Sequence, residues 1–243
     1  MRPFLLLSTR AETRAAEGEY EAFRRFGGLS ATELRQVRLE RAPMPALDLD
    51  EWSGVIVGGS PYCTSDPADE KSEVQHRVEA ELAALLDVVV DRDVPFLGAC
   101  YGVGTLGVHQ GGVVDREFGE PVGAVEVTLT AEGLADPVFS AVPQRFDAFV
   151  GHKEALRHAP PHAVVLASSL TCPVQAFRVR ENLYATQFHP ELDVPGIVER
   201  VRIYQDAGYF PVEQTERVVA ALHTSQVVHP PLLLRAFVRR YAR

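Results

Sequence analysis

Hydrophobic residues follow two patterns over the first hundred positions, short continuous runs and a repeat of three to four residues. The runs are bounded by turn residues and predict strands at residues 3–8, 34–39, 54–57 and 94–97. The run at 34–39 alternates with polar residues, which is typical of a strand near a sheet edge, whereas 54–57 has no polar side chain and indicates a central strand. Helical repeats lie between the strands, at residues 11–26 and 69–91, and the apolar face of the second comprises Val74, Val78, Leu82, Leu85, Leu86 and Val89. Strands that alternate with helices predict an α/β fold with a mostly parallel sheet covered on both faces.

The pattern changes after Gly112. Five short strand-like runs follow, at residues 122–130, 145–150, 163–168, 174–179 and 183–188. We expect them to rejoin the sheet, partly as antiparallel strands. Helical spacing then returns at residues 197–205, 212–222 and 232–241. We therefore predict one α/β domain over residues 1–195 and a helical C-terminal extension over residues 196–243, packed on the same domain.

Composition narrows the possible partners and the compartment. The 243 residues can bury one substantial core, and the formal net charge of −9 disfavours nucleic acid and anionic membranes as partners. The three cysteines, Cys63, Cys100 and Cys172, are far apart and predict neither a disulfide framework nor a zinc site. No signal peptide and no membrane-spanning run is visible. We expect a cytoplasmic protein that needs no metal and no cofactor.

The stretch that joins the strand at 94–97 to the next helix carries the clearest chemical signal. Residues 98–102 read Gly-Ala-Cys-Tyr-Gly, the thiol counterpart of the elbow that holds a nucleophilic serine on a sharp strand-to-helix turn. Glycines suit the strained backbone of such a turn, and unpaired N–H groups at a helix N-terminus favour a thiolate. Cys100 is therefore a candidate nucleophile. The alternative is a glycine-rich turn with a buried, inert cysteine.

A candidate base and its orienting carboxylate end another strand, where His189-Pro190-Glu191 follows the run at 183–188. Proline keeps the residue before it extended, and residues two apart in an extended chain point to the same side. Glu191 can therefore hold the ring of His189 while the other ring nitrogen faces Cys100. The alternative is a strand-ending turn with a solvated glutamate.

A glycine pair, Gly58-Gly59, follows the strand at 54–57 and supplies the third element. Such a pair allows a backbone N–H to turn toward a reacting carbonyl oxygen. The N–H groups of Gly59 and Tyr101 would then form a two-donor oxyanion hole. Taken singly, the glycine pair is only a turn.

Together these three segments resemble the class I glutamine amidotransferases, most closely the glutaminase domain of GMP synthase and its stand-alone relatives. The matching stretches are GVIVGGSPY, FLGACYGVGTLG and ATQFHPEL, in the family's order and at about its spacing. The resemblance implies a flavodoxin-like fold over residues 1–195 and a triad of Cys100, His189 and Glu191. This triad would hydrolyse the γ-carboxamide of glutamine through a γ-glutamyl thioester. The predicted substrate-binding residues are Gly58, Gly104, Gly151, His152 and Glu154.

This sequence departs from the family at one position that bears on the substrate. The family's elbow usually continues to a glutamine that holds the amino-acid end of the substrate, and Gly104 stands in its place. A γ-glutamyl hydrolase or peptidase that acts on another γ-glutamyl amide is therefore the second hypothesis, and a non-catalytic relative is the third. No ammonia-accepting domain is visible, so a glutaminase of this kind would work with a separate synthetase subunit.

Overall fold

The N-terminal part of the chain builds the parallel half of the sheet. In the computed structural model, which describes residues 1–243, a 3₁₀ turn at Leu49–Glu51 lies between two of these strands. The helices and strands of this half are β1 (Phe4–Ser8), α1 (Thr13–Gly27), β2 (Leu34–Arg38), β3 (Gly54–Val57), α2 (Glu73–Asp91), β4 (Phe96–Ala99) and α3 (Tyr101–His109).

The remaining residues add the antiparallel strands and the C-terminal helices. The strands are β5 (Val113–Asp115), β6 (Glu120–Leu129), β7 (Arg145–His152), β8 (Ala155–His158), β9 (Val164–Ser169), β10 (Ala176–Val179) and β11 (Leu183–Thr186). The helices are α4 (Ala131–Ala135), α5 (Val194–Ile203), α6 (Thr215–His223) and α7 (Pro230–Tyr241), with 3₁₀ turns at Phe139–Ala141 and Val212–Gln214.

Nine strands form one sheet in the order β2-β1-β3-β4-β11-β10-β9-β6-β7, while β5 and β8 pair separately. The first five strands of that order run parallel, and the pairs from β11 to β7 are antiparallel. The predicted α/β sheet with partly antiparallel strands is confirmed, with β2 at the edge and β3 inside. The carboxyl ends of the five parallel strands meet at one edge, where sheets of this kind carry their sites.

Both faces of the sheet are covered, and β1 shows why. Phe4 and Leu6 pack in the same cluster as residues of α1 and α7, whereas Leu5 and Leu7 pack with residues of α2 and α3. Successive side chains of a strand point to opposite faces, so a strand with a helix on each side must be apolar throughout. All five residues of β1 are buried.

Several boundaries differ from the predicted ones for local reasons. Helix α2 begins four residues late, at Glu73, because Ser72 caps it by accepting the N–H of Gln75 at 3.1 Å. Val74 therefore lies in the first turn and is 37% exposed instead of joining the apolar face. Strand β4 starts at Phe96 because the N–H of Val94 still donates to the Val89 carbonyl that ends α2. The ribbon of β5 and β8 and the short helix α4 were not predicted.

The helices after residue 193 pack against the sheet and each other. Phe237 of α7 lies in the main core, with its ring 6.1 Å from that of Phe4 and 6.2 Å from that of Tyr184. Helices α5 and α6 form a smaller cluster around Phe149 of β7. The predicted helix at 212–222 is a 3₁₀ turn followed by α6.

A bilayer-spanning helix is absent, since none of the seven combines the required length and apolarity.

Candidate active site

The carboxyl ends of β1, β3, β4 and β11 bring four segments of the chain to one cavity. Arg10 follows β1, Ser60 follows β3, Cys100 follows β4 and His189 follows β11, and all four line this cavity. It contains about 480 Å³ of empty space, part of which is open to solvent. We call it the histidine-side cavity. The topology thus gathers residues that are up to 179 positions apart in sequence.

The backbone at Cys100 is strained in the way an elbow requires. Its φ and ψ are 53° and −89°, and its N–H donates to the carbonyl of Thr186 on β11 at 2.7 Å. A Cβ atom at Gly98 would lie 2.8 Å from the Cα of Gly102, so only glycine fits at position 98. A Cβ at Gly102 would meet nothing closer than 3.6 Å. The elbow therefore requires its first glycine for space, and its second glycine only as the surface against which the first one packs.

His189 and Glu191 form a buried pair behind the cavity. The ring Nδ1 of His189 donates to Oε1 of Glu191 at 2.8 Å, and the backbone N–H of His189 donates to the carbonyl of Phe149 at 3.0 Å. Glu191 is completely buried. A second cation, Nη2 of Arg200 on α5, lies 3.5 Å from the same carboxylate oxygen. With Nδ1 engaged in this way, Nε2 is the ring nitrogen that remains available to a reacting group.

The electrostatics of these three groups follow from burial and from the neighbouring charges. Burial raises the pKa of the Cys100 thiol to about 12, which outweighs the opposite effect of Arg10. Burial also lowers the pKa of His189, although Glu191 acts in the other direction. Burial alone would raise the pKa of Glu191, but His189 and Arg200 bring it down to about 2. The thiolate expected from the helix N-terminus is therefore not the resting form, and a neutral thiol faces a neutral imidazole.

Gly59 lies directly against the histidine. A Cβ atom there would come within 2.7 Å of Cε1 of His189 and within 2.7 Å of Nη2 of Arg10. Its neighbour Gly58 packs instead on the buried carboxylate of Glu19, 2.5 Å from a hypothetical Cβ, and lines neither cavity. The N–H of Tyr101 is at the first position of α3, where no intrahelical acceptor exists.

A second cavity lies on the other side of Cys100. Predicted site residues that line it are Tyr101, Gly104, His152 and Glu154, whereas Gly151 lines the histidine-side cavity. It contains about 330 Å³ of empty space and shares Ser60, Cys100 and Tyr209 with the first cavity. We call it the glycine-side cavity, after Gly104.

Two polar side chains of the glycine-side cavity are already engaged in hydrogen bonds. The carboxylate of Glu154 accepts the N–H groups of Thr64 at 2.8 Å and Ser65 at 2.7 Å. The ring of His152 donates to the Glu154 carbonyl and to the buried carboxylate of Glu120, both at 2.8 Å. Because both partners of the ring are acceptors, this geometry suits a doubly protonated imidazole. These two residues shape the wall of the cavity more than they offer free hydrogen-bonding groups.

The position of Gly104 explains why a longer residue is absent there. A Cβ atom would lie 2.7 Å from Oγ1 of Thr64 and 2.9 Å from Oε1 of Glu154. The space that a side chain at this position would enter is therefore filled by Thr64 and Glu154.

Three site residues were missed from the sequence. Arg10 and Arg200 line the histidine-side cavity, and Tyr209 lies between the two cavities. Arg10 directly follows the end of a parallel strand, which is a usable signal, but nothing in the spacing of α5 marks Arg200 as buried. Tyr209 belongs to the segment 204–210, which Lys153 holds by donating to the Ala207 carbonyl at 2.6 Å.

Comparisons with known sequences agree with these motifs. A family model for the class-I glutamine amidotransferases matches residues 29–195. One subunit of a two-part GMP synthase (glutamine-hydrolyzing) from Pyrococcus abyssi is 30% identical over 141 residues, which are 58% of this chain and 66% of that protein. A GMP synthase from Thermomicrobium roseum is 32% identical over 174 residues, which are 68% of this chain and 29% of that protein. The match thus spans less than two thirds of the length of each of these relatives.

Solved structures share the whole fold. A glutamine amidotransferase from Thermotoga maritima superposes with a TM-score of 0.73 at 22% identity, covering 99% of this chain and 98% of that one. A glutamine amidotransferase from Methylobacillus flagellatus gives a TM-score of 0.72 at 18% identity and covers 100% of this chain and 96% of that one. These similarities confirm the fold expected from the sequence motifs.

Proposed function

The chain belongs to the class I glutamine amidotransferases, and from that premise we propose that it is a cysteine amidohydrolase that cleaves the γ-amide of glutamine. The strongest support is that Cys100 and His189 line one cavity while Glu191 holds the histidine from behind at 2.8 Å. A nucleophile, a base and an orienting carboxylate are the three groups that such a reaction needs.

The proposed mechanism begins with a neutral thiol and a neutral imidazole, as the pKa shifts of Cys100 and His189 favour. As the sulfur attacks the γ-carbonyl carbon, His189 accepts the thiol proton, and Glu191 stabilises the imidazolium that forms. The oxyanion accepts the N–H groups of Gly59 and Tyr101, each of which contributes about 3 kcal/mol to lowering the barrier.

The second half of the cycle returns the enzyme to its starting state. The imidazolium gives its proton to the amide nitrogen, the C–N bond breaks, and ammonia leaves a γ-glutamyl thioester on Cys100. A water molecule, deprotonated by His189, then attacks the thioester. Glutamate leaves and the sulfur regains its proton. No cofactor takes part in these steps.

Hydrolysis of another γ-glutamyl amide is the second candidate function, and one observation favours it. The family's glutamine at the position of Gly104 has no counterpart here, and Thr64 and Glu154 fill the space. Recognition of the amino-acid end of free glutamine must then use other groups. The hydrolytic steps stay the same for either substrate.

The organisation of the chain and its partner are part of the same proposal. Residues 1–195 would form the amidotransferase domain, with residues 196–243 as a helical extension packed on it. Because one relative is a single subunit of a GMP synthase, a separate synthetase is the proposed acceptor of the ammonia. Three unpaired cysteines, Cys63, Cys100 and Cys172, support a reducing, cytoplasmic location.

A substitution of the nucleophile tests the mechanism. With glutamine as substrate and glutamate and ammonia as readouts, Cys100→Ser is expected to lose turnover while keeping the wild-type unfolding transition. Cys172→Ser, a buried cysteine outside both cavities, is the matched control and keeps turnover. Glutamate release by Cys100→Ser at the wild-type rate would refute the role of this thiol.

A further inference from the structure

The position of the histidine decides which cavity receives the leaving group. The group that protonates the amide nitrogen must lie within hydrogen-bond reach of it, so the departing amine lies beside His189. His189 lines the histidine-side cavity and not the glycine-side cavity. The γ-glutamyl part of the substrate then occupies the glycine-side cavity. A leaving group of the size of ammonia would fill only a small part of the 480 Å³ on the other side.

Two arginines are built into the histidine-side cavity. Arg10 is 4% exposed and Arg200 is 9% exposed, so both guanidinium groups are largely removed from water. Arg10 is engaged, because its Nε donates to Oε1 of Glu19 at 2.9 Å. Arg200 is different, since neither Nη1 nor Nη2 has a hydrogen-bond partner although both are buried. A buried guanidinium with two free nitrogens is costly unless an anion satisfies it.

The nearest carboxylates do not supply what Arg200 lacks. Glu19 lies 3.6 Å from its Nη2 and Glu191 lies 3.5 Å away, both beyond ordinary hydrogen-bond distance. Both carboxylates also have closer partners: Glu19 accepts from Ser8 and Arg10, and Glu191 accepts from His189. Burial and the nearby charge of Arg10 lower the pKa of Arg200, which shows that this cation is under-compensated in the unliganded cavity.

The rest of the wall is mainly apolar. Aliphatic and aromatic side chains surround the arginines, among them Val122, Leu192, Ile197, Val201 and Phe210. A guanidinium at the base of an apolar cavity suits a small organic acid, because the carboxylate pairs with the fork of the arginine while the carbon skeleton contacts the wall. Amino acids have this combination of features, and their amino group supplies the amide nitrogen.

We propose that the substrate is a γ-glutamyl amino acid or peptide whose free carboxylate, in the amine half, is bound by Arg200 with the help of Arg10. This assignment rests on the proposed hydrolysis at Cys100 and specifies its leaving group. The sulfur attacks the γ-carbonyl, the C–N bond breaks, and the amino acid leaves with the proton from His189. Water then cleaves the thioester, so one γ-glutamyl amide and one water give glutamate and one amino acid.

A matched pair of substrates tests the carboxylate directly. γ-Glutamyl-leucine and γ-glutamyl-leucinamide have the same size and differ only in that charge, and release of the amine measures both. The wild type is expected to favour the acid in kcat/KM by about 10- to 100-fold, the range for a charge-assisted hydrogen bond in a buried site. In the Cys100→Ser variant, calorimetry is expected to give a Kd lower for the acid by a similar factor.

Substitution of Arg200 separates substrate binding from a role in positioning Glu191. In Arg200→Gln the preference for the acid is expected to fall to about one, whatever happens to the rate with the amide. Arg202→Gln, at an exposed position of the same helix, keeps the preference. If Arg200→Gln lowers the rates of both substrates equally and the preference persists, Arg200 only positions Glu191 and the proposal is wrong. The Kd ratio in Cys100→Ser decides the matter if Arg200→Gln does not fold.

The outcomes also separate this proposal from the hydrolytic function. If the wild type releases ammonia from glutamine but shows no preference between the two leucine compounds, the leaving-group assignment fails and the hydrolase remains. If it releases nothing from glutamine or from either compound, and Cys100→Ser binds the acid and the amide equally, both proposals fail.

Discussion

Adding one methyl group at Gly104 should destabilise the protein, because the side chains around it cannot yield separately. The new Cβ in Gly104→Ala would lie 2.7 Å from Oγ1 of Thr64 and 2.9 Å from Oε1 of Glu154. These two residues are joined, since Oγ1 and the N–H of Thr64 both donate to that carboxylate oxygen, at 3.0 and 2.8 Å. The other carboxylate oxygen accepts the N–H of Ser65 at 2.7 Å. Relief of the clash therefore moves a bonded group and not a free rotamer.

The expected size of the effect follows from two opposing contributions. Alanine is more favourable than glycine inside a helix by about 0.5–1 kcal/mol. Overpacking in a filled site costs about 1–3 kcal/mol, and loss of a hydrogen bond to a charged group costs about 1.5–3 kcal/mol more. The clash should outweigh the helix contribution. We expect the free energy of unfolding of Gly104→Ala to fall by about 1–3 kcal/mol.

Urea denaturation with a matched variant measures this effect. Gly102→Ala lies on the same helix, but its Cβ would meet no atom closer than 3.6 Å, so its free energy of unfolding is expected to stay the same or to rise by up to about 1 kcal/mol. A change in the transition midpoint at constant slope reports the difference between the two variants. If Gly104→Ala is as stable as Gly102→Ala, Thr64 and Glu154 do not fill the space as argued.

Two further predictions concern the histidine. Because burial lowers the pKa of His189, the neutral base is present down to pH values below 6.5, so kcat/KM is expected to stay flat from pH 7.5 to 6.5 and to fall only in more acidic solution; an acid limb centred above pH 7 would contradict this. Gly59→Ala would place a Cβ 2.7 Å from Cε1 of His189 and is expected to lower kcat on the order of 100-fold, because small displacements of a reacting group have effects of that size. Gly123→Ala, with no atom closer than 3.9 Å, keeps wild-type kcat, and equal activities of the two variants would argue against the contact.

Much of the parallel half could be predicted from the sequence because its signals are local. A strand with helices on both sides must be apolar throughout, and β1 and β3 are. The contact of His189 with Glu191 is also local, since a single proline between them sets the geometry. The ribbon of β5 and β8 was missed because strands of three and four residues are too short for a period to show.

Other features of the site depend on contacts between distant parts of the chain. Arg10 and Arg200 are 190 positions apart, and neither their burial nor their shared cavity has a local signature. The protonation state of Cys100 was predicted from the helix N-terminus alone, whereas burial by the surrounding elements dominates its pKa. Gly104 was recognised as a departure, but its cause lies in Thr64 and Glu154, which only the fold brings beside it.

The division of labour between segments limits what common ancestry can tell about this chain. Cys100, His189 and Glu191 fall inside residues 29–195, the stretch shared with the family, so the bond-breaking apparatus is inherited as a unit. Most of the wall that would receive the departing amine is encoded outside that stretch, by Arg10, Ile197, Arg200, Val201, Tyr204, Tyr209 and Phe210. Evolution can therefore exchange the reactant by rewriting the flanks of the chain while leaving the reaction itself untouched.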